Sequence, residues 1–97
     1  MLKITIISVN LNNLSGLKKT VNSVISQDYT NFEYIIIDGG SNDGSAEYIQ
    51  SISRKLKYYI SEKDYGIYSA MNKGILKSNG DYLIFLNSGD YFYSPES

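Results

Sequence analysis

The sequence predicts an α/β domain: a mostly parallel sheet flanked by helices in the order β-α-β-α-β-α-β. Three observations carry this prediction. Four short segments are rich in Ile, Val, Leu, Tyr and Phe, as strands are. Three stretches between them repeat apolar residues at three- and four-residue spacing, as amphipathic helices do. Each predicted strand is followed directly by a polar cluster that is typical of turns.

The predicted strands occupy residues 3–9, 32–37, 56–60 and 81–86. The second is the most distinctive, because Tyr34, Ile35, Ile36 and Ile37 form an unbroken β-branched and aromatic run. Such a run is typical of a strand that is buried on both faces of a parallel sheet. The second strand is therefore expected near the centre of the domain.

The predicted helices are defined by three apolar stripes. They comprise Leu14, Leu17, Val21, Val24 and Ile25; then Ala46, Tyr48, Ile49 and Ile52; then Ile67, Ala70, Met71, Gly74 and Ile75. Asn13 or Ser15 is expected to cap the first helix and Ser45 the second. Asn79-Gly80 is expected to end the third, because glycine accepts the left-handed cap conformation.

Composition limits the possible chemistry. The 97 residues make one small domain with a net charge of −1, no cysteine and no histidine. Acid–base or metal chemistry would therefore fall to Asp and Glu, and the scattered lysines do not indicate nucleic-acid binding. No signal peptide and no apolar run of about 18 residues is recognised, so we expect no membrane span. The expected location is the cytoplasm, with peripheral attachment to the inner face of the membrane as an option.

The turns that follow the strands, at 10–13, 38–44, 62–66 and 87–90, should converge on one edge of a parallel sheet. Convergence would gather five carboxylates there: Asp38, Asp43, Glu62, Asp64 and Asp90. Taken alone, each turn has an ordinary structural explanation, and Lys73 is most simply a solvated helix residue. Their coincidence at one edge, beside helix starts that favour anions, predicts a ligand site instead.

These segments together resemble the N-terminal, nucleotide-sugar-binding half of a family 2 glycosyltransferase with the Rossmann-like GT-A fold. The similarity covers essentially all 97 residues and is carried by residues 4–10 with 23–27, 34–45, 61–75 and 80–90. The last two segments are most similar to the subgroup that builds bacterial exopolysaccharide, of the colanic-acid type. The resemblance implies that a nucleotide-diphosphate sugar binds at the turn 38–44.

The resemblance assigns roles to individual positions. Asp38, with Gly39 beside it, would read the nucleobase, usually uracil in this family. Asn10 and Asn12 would line the same nucleoside pocket. Asp64 stands where the family places a carboxylate near the base, ribose or sugar. Asn72 and Lys73 match an Asn-Lys-Gly element that borders the donor site.

The resemblance also implies a metal site at residues 87–90, where Asn87 and Asp90 would hold Mg²⁺ or Mn²⁺ against the diphosphate. The family's usual Asp-Ser-Asp-Asp is here Asn87-Ser88-Gly89-Asp90, which leaves one carboxylate. Metal binding should therefore be weaker or depend more on the diphosphate. Ser69 also differs, because the subgroup commonly has Asp at that position.

The implied reaction is an inverting transfer in which a saccharide or lipid-linked acceptor hydroxyl attacks the anomeric carbon. The general base belongs to an acceptor-binding half that this chain lacks, so the chain is expected to bind the donor without transferring sugar. One alternative is a catalytically incomplete or non-catalytic nucleotide-sugar-binding fragment that needs a missing acceptor half or a partner chain. Another, a dinucleotide-binding oxidoreductase domain, is disfavoured because residues 10–13 lack the glycine-rich fingerprint. Truncation should leave the fourth strand's outer edge uncovered, which favours a homo-oligomer.

Overall fold

The computed structural model describes residues 3–26, 31–63 and 66–90. The elements in chain order are β1 Ile4–Asn10, α1 Leu14–Ile25, β2 Phe32–Asp38, α2 Ser45–Ser51, a 3₁₀ turn at Ser53–Lys55, β3 Tyr58–Ser61, α3 Ile67–Lys77 and β4 Tyr82–Asn87. This order confirms the predicted β-α-β-α-β-α-β pattern. The strand boundaries differ from the predicted ones by two residues or fewer.

The four strands form one parallel sheet in the order β3-β2-β1-β4. The register aligns the strand ends: Asn10 of β1 pairs with Asp38 of β2, and Asp38 pairs with Ser61 of β3. On the other side Val9 pairs with Asn87 of β4. The polar turns that follow the strands therefore meet at one edge of the sheet, which we call the carboxyl edge.

Helices cover both faces of the sheet because its central strands carry apolar side chains on both sides. One core joins Ile6 and Ile36 of the sheet to the buried stripe of α1 and to Ile49 of α2. The other joins Ile7, Ile35 and Ile37 to Ala70 of α3. The central strands β1 and β2 are thus enclosed, and β3 and β4 are the two outer strands of the sheet.

The helix starts differ in part from the sequence-based expectations. Asn13 caps α1, where its side chain accepts the Gly16 N–H at 3.2 Å, as one of the two predicted options required. Ser45 is the first residue of α2 and not its cap. The cap position belongs to Gly44, whose φ of 95° lies in the left-handed region. The prediction for Ser45 was wrong because glycine adopts this conformation without steric cost.

The predicted end of α3 was also wrong. The helix ends at Lys77, Ser78 takes an extended conformation, and neither Asn79 nor Gly80 has a positive φ. The glycine is required for another reason. A Cβ at Gly80 would lie 2.7 Å from the backbone nitrogen of Thr5, and the Gly80 N–H donates to the Thr5 hydroxyl at 2.8 Å. Gly80 therefore allows the α3–β4 turn to pack closely against β1.

The edge of the sheet opposite the carboxyl edge is held by Glu33, a buried residue of β2. Its carboxylate accepts the Thr5 hydroxyl at 2.7 Å and the Asn79 N–H at 2.6 Å, and it pairs with the Lys3 ammonium at 3.2 Å. These bonds join β1, β2 and the α3–β4 turn. The domain thus has one polar network at each edge of its sheet.

Candidate functional site

The carboxyl edge is organised around Asp38, the last residue of β2, which has no exposed surface. One carboxylate oxygen accepts the Asn10 amide at 2.7 Å and the Ser41 hydroxyl at 2.6 Å. The other accepts the backbone N–H groups of Gly40 at 3.2 Å and Ser41 at 2.8 Å, and the Ser61 hydroxyl at 2.7 Å. Because a carboxylate offers about four acceptor sites, these five donors satisfy it.

This saturation has a consequence for the predicted contact between Asp38 and a nucleobase. A base could reach the carboxylate only if one of the five protein donors gave way. The contact stays a prediction, but the described arrangement gives Asp38 a definite second role. It joins the ends of β1, β2 and β3 and folds the turn 39–41 over the edge of the sheet.

The β1–α1 loop is bound tightly to the β2–α2 loop. Asn12 has a φ of 49°, in the left-handed region that Asn tolerates better than most residues. Its backbone N–H donates to the Ser41 hydroxyl and its side-chain oxygen accepts the Asn42 N–H, both at 2.8 Å. The two loops therefore behave as one unit, residues 10–13 and 39–45, which we call the wall. It forms one side of the crevice at the carboxyl edge.

Asp43 strengthens the same wall by accepting hydrogen bonds from the first residues of two helices. One of its carboxylate oxygens accepts the Leu14 N–H in the first turn of α1 at 2.9 Å. The other accepts the backbone N–H of Ser45 at 3.1 Å and its hydroxyl at 2.6 Å. The carboxylate also complements the positive ends of both helix dipoles. Asp43 is therefore engaged within the protein, although the sequence placed it among the carboxylates of the crevice.

The electrostatics of the two aspartates follow from these bonds. Burial by itself would raise the pKa of Asp38, but the hydrogen bonds from Ser41, Ser61 and Asn10 outweigh it and leave the pKa lowered. The pKa of Asp43 is lowered chiefly by the hydrogen bond from the Ser45 hydroxyl. Both carboxylates are consequently charged at neutral pH.

The turn 87–90 lies next to this wall. The Ser88 hydroxyl donates to the side-chain oxygen of Asn10, and the Ser88 N–H donates to Val9 O at 3.2 Å. Within the turn the Asn87 N–H donates to the Asp90 carboxylate at 2.9 Å. Asn10 thus contacts both Asp38 and the turn that contains Asp90. It lies between the predicted nucleoside pocket and the predicted metal site.

A cavity of about 320 Å³ opens at the carboxyl edge. Its lining comprises Val9, Asn10, Leu11, Asn13, Gly39, Gly66, Ala70, Asn87 and Ser88. Three predicted site residues are among them: Asn10, Gly39 and Asn87. The lining thus combines residues from β1, β4 and α3 with residues from the loops that follow β1 and β2. The volume lies in the range of small-molecule sites.

The α3 side of the crevice is described only in part. Lys73 forms a 2.8 Å ion pair with Glu62, which follows β3, and Asn72 is exposed on α3. The pair links the α3 helix to the carboxyl edge. The roles of Asn72 and Lys73 beside a donor stay predictions. Asp64 lies outside the described residues.

The oxygen atoms of the turn 87–90 are of the kind that binds a divalent cation, but the turn offers too few of them to hold a cation alone. Asn87 and Asp90 are both exposed and offer hard oxygen ligands, which Mg²⁺ and Mn²⁺ prefer. Within residues 3–26, 31–63 and 66–90, no three acidic side chains come together in a way that could hold a metal ion. A cation here would therefore take most of its ligands from a bound diphosphate and water.

The hydroxyl groups of Ser41, Ser61, Ser88 and Thr20 are the site features that sequence reasoning missed. Ser41 and Ser61 complete the shell of Asp38, and Thr20 bonds to the turn 87–90 from α1. Ser41 stands in the turn singled out from sequence, so its position was available as a signal. Thr20 also had a signal, because it lies three residues after Leu17 and four before Val24, on the buried stripe of α1.

Comparison with known proteins agrees with this architecture. The family model described as "Glycosyl transferase family 2" matches residues 5–97. An uncharacterised glycosyltransferase of Mycobacterium tuberculosis is 43% identical over 94 residues, which are 96% of this chain and 36% of that protein. Glycosyltransferase GlyA of Streptococcus pneumoniae is 33% identical over 92% of this chain and 13% of its own length. The chain belongs to glycosyl transferase family 2, and it spans about a third or less of these relatives.

Solved structures show the same fold. Staphylococcus aureus TarS residues 1–349, in complex with UDP-GlcNAc, match with a TM-score of 0.80 at 22% identity over 92% of this chain and 27% of theirs. The mannosyltransferase PcManGT of Pyrobaculum calidifontis, in complex with GDP-Man and Mn²⁺, matches with a TM-score of 0.82 at 16% identity over 98% of this chain and 30% of its own. The sheet and helices described here are therefore those of GT-A glycosyltransferases, and the predicted fold class is confirmed.

None of the helices in the described part of the chain is long and apolar enough to cross a membrane.

Proposed function

We propose that this chain is the donor-binding part of a glycosyltransferase that takes a nucleotide-diphosphate sugar, with UDP as the nucleotide. The observation that carries the proposal is the locking of the loops after β1, β2 and β4 around one cavity, through the chain of contacts from Asp38 to Asn10 to Ser88. The crevice at the carboxyl ends of parallel strands is where α/β proteins bind nucleotides. The UDP-GlcNAc bound by TarS and the GDP-Man bound by PcManGT support a nucleotide sugar as the ligand class.

In this proposal the wall formed by residues 10–13 and 39–45 holds the nucleoside. Asn10, Gly39 and the loop around Asn12 lie nearest to it, while Asp38 shapes the wall through its hydrogen bonds and receives the base if one of them is exchanged. Asp64, Asn72 and Lys73 border the sugar or ribose. Preorganised loops of this kind favour binding because they lose little of their own conformational freedom when a ligand binds.

The turn 87–90 would hold the diphosphate through Asn87, Asp90 and a divalent cation, Mg²⁺ or Mn²⁺. When bound, that cation supplies charge neutralisation for the departing nucleoside diphosphate. The Asp90 carboxylate accepts only the Asn87 N–H among the hydrogen bonds of the described residues, so it has acceptor capacity left for a ligand. Cation binding by this turn should therefore be tightly coupled to nucleotide binding.

The proposed reaction of the complete enzyme is a single displacement with inversion. An acceptor hydroxyl attacks the anomeric carbon, the bond from that carbon to the diphosphate oxygen breaks, and the nucleoside diphosphate leaves with the electron pair. A general base takes the hydroxyl proton, and we assign no residue of this chain to that role. The acceptor is a saccharide or a lipid-linked acceptor, in the synthesis of a bacterial polysaccharide.

Isothermal titration calorimetry tests the proposal directly. UDP and GDP are titrated separately into the chain, with and without MnCl₂ or MgCl₂. The proposal expects saturable UDP binding that metal strengthens, and weaker binding of GDP. Absence of heat with both nucleotides in the presence of metal would refute it. Multiple-turnover release of UDP from a UDP-sugar would instead show that this chain already contains a working base.

A further inference from the structure

Thr20 makes an unusual set of bonds for a residue in the middle of a helix. It lies on α1 with no exposed surface, and its hydroxyl oxygen accepts the Gly89 N–H at 2.9 Å. The same oxygen lies 2.6 Å from the carbonyl oxygen of Asp90 and 3.3 Å from that of Asn87. One side chain therefore binds the backbone on both sides of the Gly89–Asp90 peptide bond.

The remaining anchors of this turn hold Ser88 and Gly89. Ser88 is bound to β1 through its N–H and hydroxyl, as described above. Gly89 has a φ of 100°, and its N–H also reaches Gly16 O at 3.0 Å. Among the described residues, two bonds reach the Asp90 backbone. The Asp90 N–H donates to Asn87 O at 2.9 Å, within the turn. The other comes from the Thr20 hydroxyl, which lies outside the turn.

We infer that Thr20 is a positioning residue that fixes the backbone of Asp90 and so determines where its carboxylate can meet a cation and diphosphate. This inference rests on the proposed function of the turn 87–90. The physical reason is that a buried hydroxyl that both donates and accepts restrains two backbone groups at once. An exposed carboxylate that is the only charged ligand of its turn gains affinity from being held in one place.

Three substitutions separate positioning from general stability. Thr20→Val keeps the shape of the side chain and removes the hydroxyl, whereas Thr20→Ser keeps the hydroxyl. Thr5→Val is the matched control: Thr5 is equally buried, accepts a glycine N–H and donates to an oxygen, but lies at the opposite edge of the sheet. The measured quantity is the ratio of UDP affinities with and without MnCl₂, determined by calorimetry on chains shown to be folded by circular dichroism.

We expect Thr20→Val to lower this ratio roughly three- to tenfold, which is the change in affinity equivalent to the loss of one such hydrogen bond. Thr20→Ser should keep the wild-type ratio, and Thr5→Val should keep it despite a lower melting temperature. A wild-type ratio in Thr20→Val, or an equal fall in Thr5→Val, would overturn the inference. If wild-type chain binds UDP but shows no effect of Mn²⁺, the inference fails and the nucleotide site stands. No UDP binding at all would refute the proposed function itself.

Discussion

Asn10 and Asp38 are register partners at the carboxyl ends of β1 and β2, and the Asn10 amide donates to the Asp38 carboxylate at 2.7 Å. This bond closes the space between two adjacent parallel strands where their turns diverge. The Asn10 side-chain oxygen in turn accepts the Ser88 hydroxyl. A continuous polar chain therefore runs along the edge of the sheet from the β2–α2 loop to the turn after β4.

Removal of the Asp38 carboxylate should strongly weaken nucleotide binding. In Asp38→Ala the five groups that donate to the carboxylate lose their acceptor, and the wall of the crevice loses its common anchor. We expect UDP affinity to fall at least about tenfold, equivalent to about 1.4 kcal/mol, measured by calorimetry on protein confirmed to be folded.

The matched control is Glu33→Gln. Glu33 is also a buried carboxylate of β2 with bonds to neighbouring elements, but it lies at the opposite edge of the sheet. This variant should lose stability and keep wild-type affinity for UDP. Equal losses of affinity in both variants would mean that the effect of Asp38→Ala is one of general destabilisation.

Acid should weaken the fold through the same two carboxylates. The pKa of Glu33 is lowered because hydrogen bonds from Thr5 and Asn79 and the charge of Lys3 outweigh the effect of burial, and that of Asp38 is lowered by its own donors. A carboxyl group with a lowered folded-state pKa stabilises the fold above its unfolded-state pKa of about 4. That contribution is lost as the pH falls below this value through the folded-state pKa.

Urea unfolding at a series of pH values from 7 to 3 measures this loss. The free energy of unfolding should be nearly constant at the upper end and decline below about pH 4–5. Asp38→Asn and Glu33→Gln should each be less stable at neutral pH and show a shallower decline. Parallel curves for the wild type and both variants would exclude these two groups as the cause.

Gly80→Ala should destabilise the domain although Gly80 has an ordinary φ. The added Cβ would meet the backbone nitrogen of Thr5 at 2.7 Å, and backbone atoms of a central strand cannot rotate away. We expect a loss of about 1–3 kcal/mol in the free energy of unfolding, the usual cost of overpacking. Asn79→Ala is the control. Asn79 is the exposed neighbour of Gly80, and its backbone N–H still donates to Glu33 after the substitution. An unchanged unfolding midpoint in Gly80→Ala would show that the turn can move away from β1.

The backbone of the outer strand β4, on the side that faces away from β1, should drive self-association. In the described part of the chain β4 pairs with β1 alone, and Tyr82 and Leu83 on it are 57% and 40% exposed. Unpaired backbone groups beside apolar side chains favour pairing with a second copy. Light scattering at high concentration should show a dimer or larger species, and Leu83→Lys should shift it towards the monomer. Leu76→Lys, an exposed α3 position, should leave it unchanged, and a wild-type monomer would contradict the prediction.

The fold and the edge of the sheet at which the candidate site lies could be predicted from sequence because both depend on local patterns. The run Tyr34–Ile37 has the composition of a buried central strand, and the stripes of α1 and α3 have helical spacing. Once the strands are parallel, their following turns must share an edge. The placement of Asn10, Asp38 and Asn87 together follows from that geometry and needs no side-chain detail.

The side-chain partners could not be predicted in the same way. Asp38 and Ser61 are 23 positions apart, and Thr20 and Asp90 are 70 apart, so no local pattern reports their bonds. Gly80 illustrates the same limit. A glycine after a helix usually signals a left-handed cap, but here the approach of a distant strand requires it, and only the folded chain shows which reason applies.

The central claim is that the nucleotide binds at the carboxyl edge, and UDP-induced shifts in the amide resonances of ¹⁵N-labelled chain test it most directly. The glycines supply internal markers: Gly39, Gly40 and Gly89 belong to the proposed site, and Gly80 lies at the opposite edge. With UDP and Mg²⁺ we expect saturable shifts at Gly39, Gly40 and Gly89 and none at Gly80. Shifts concentrated around Gly80, or no saturable shift at any of the four, would contradict the account.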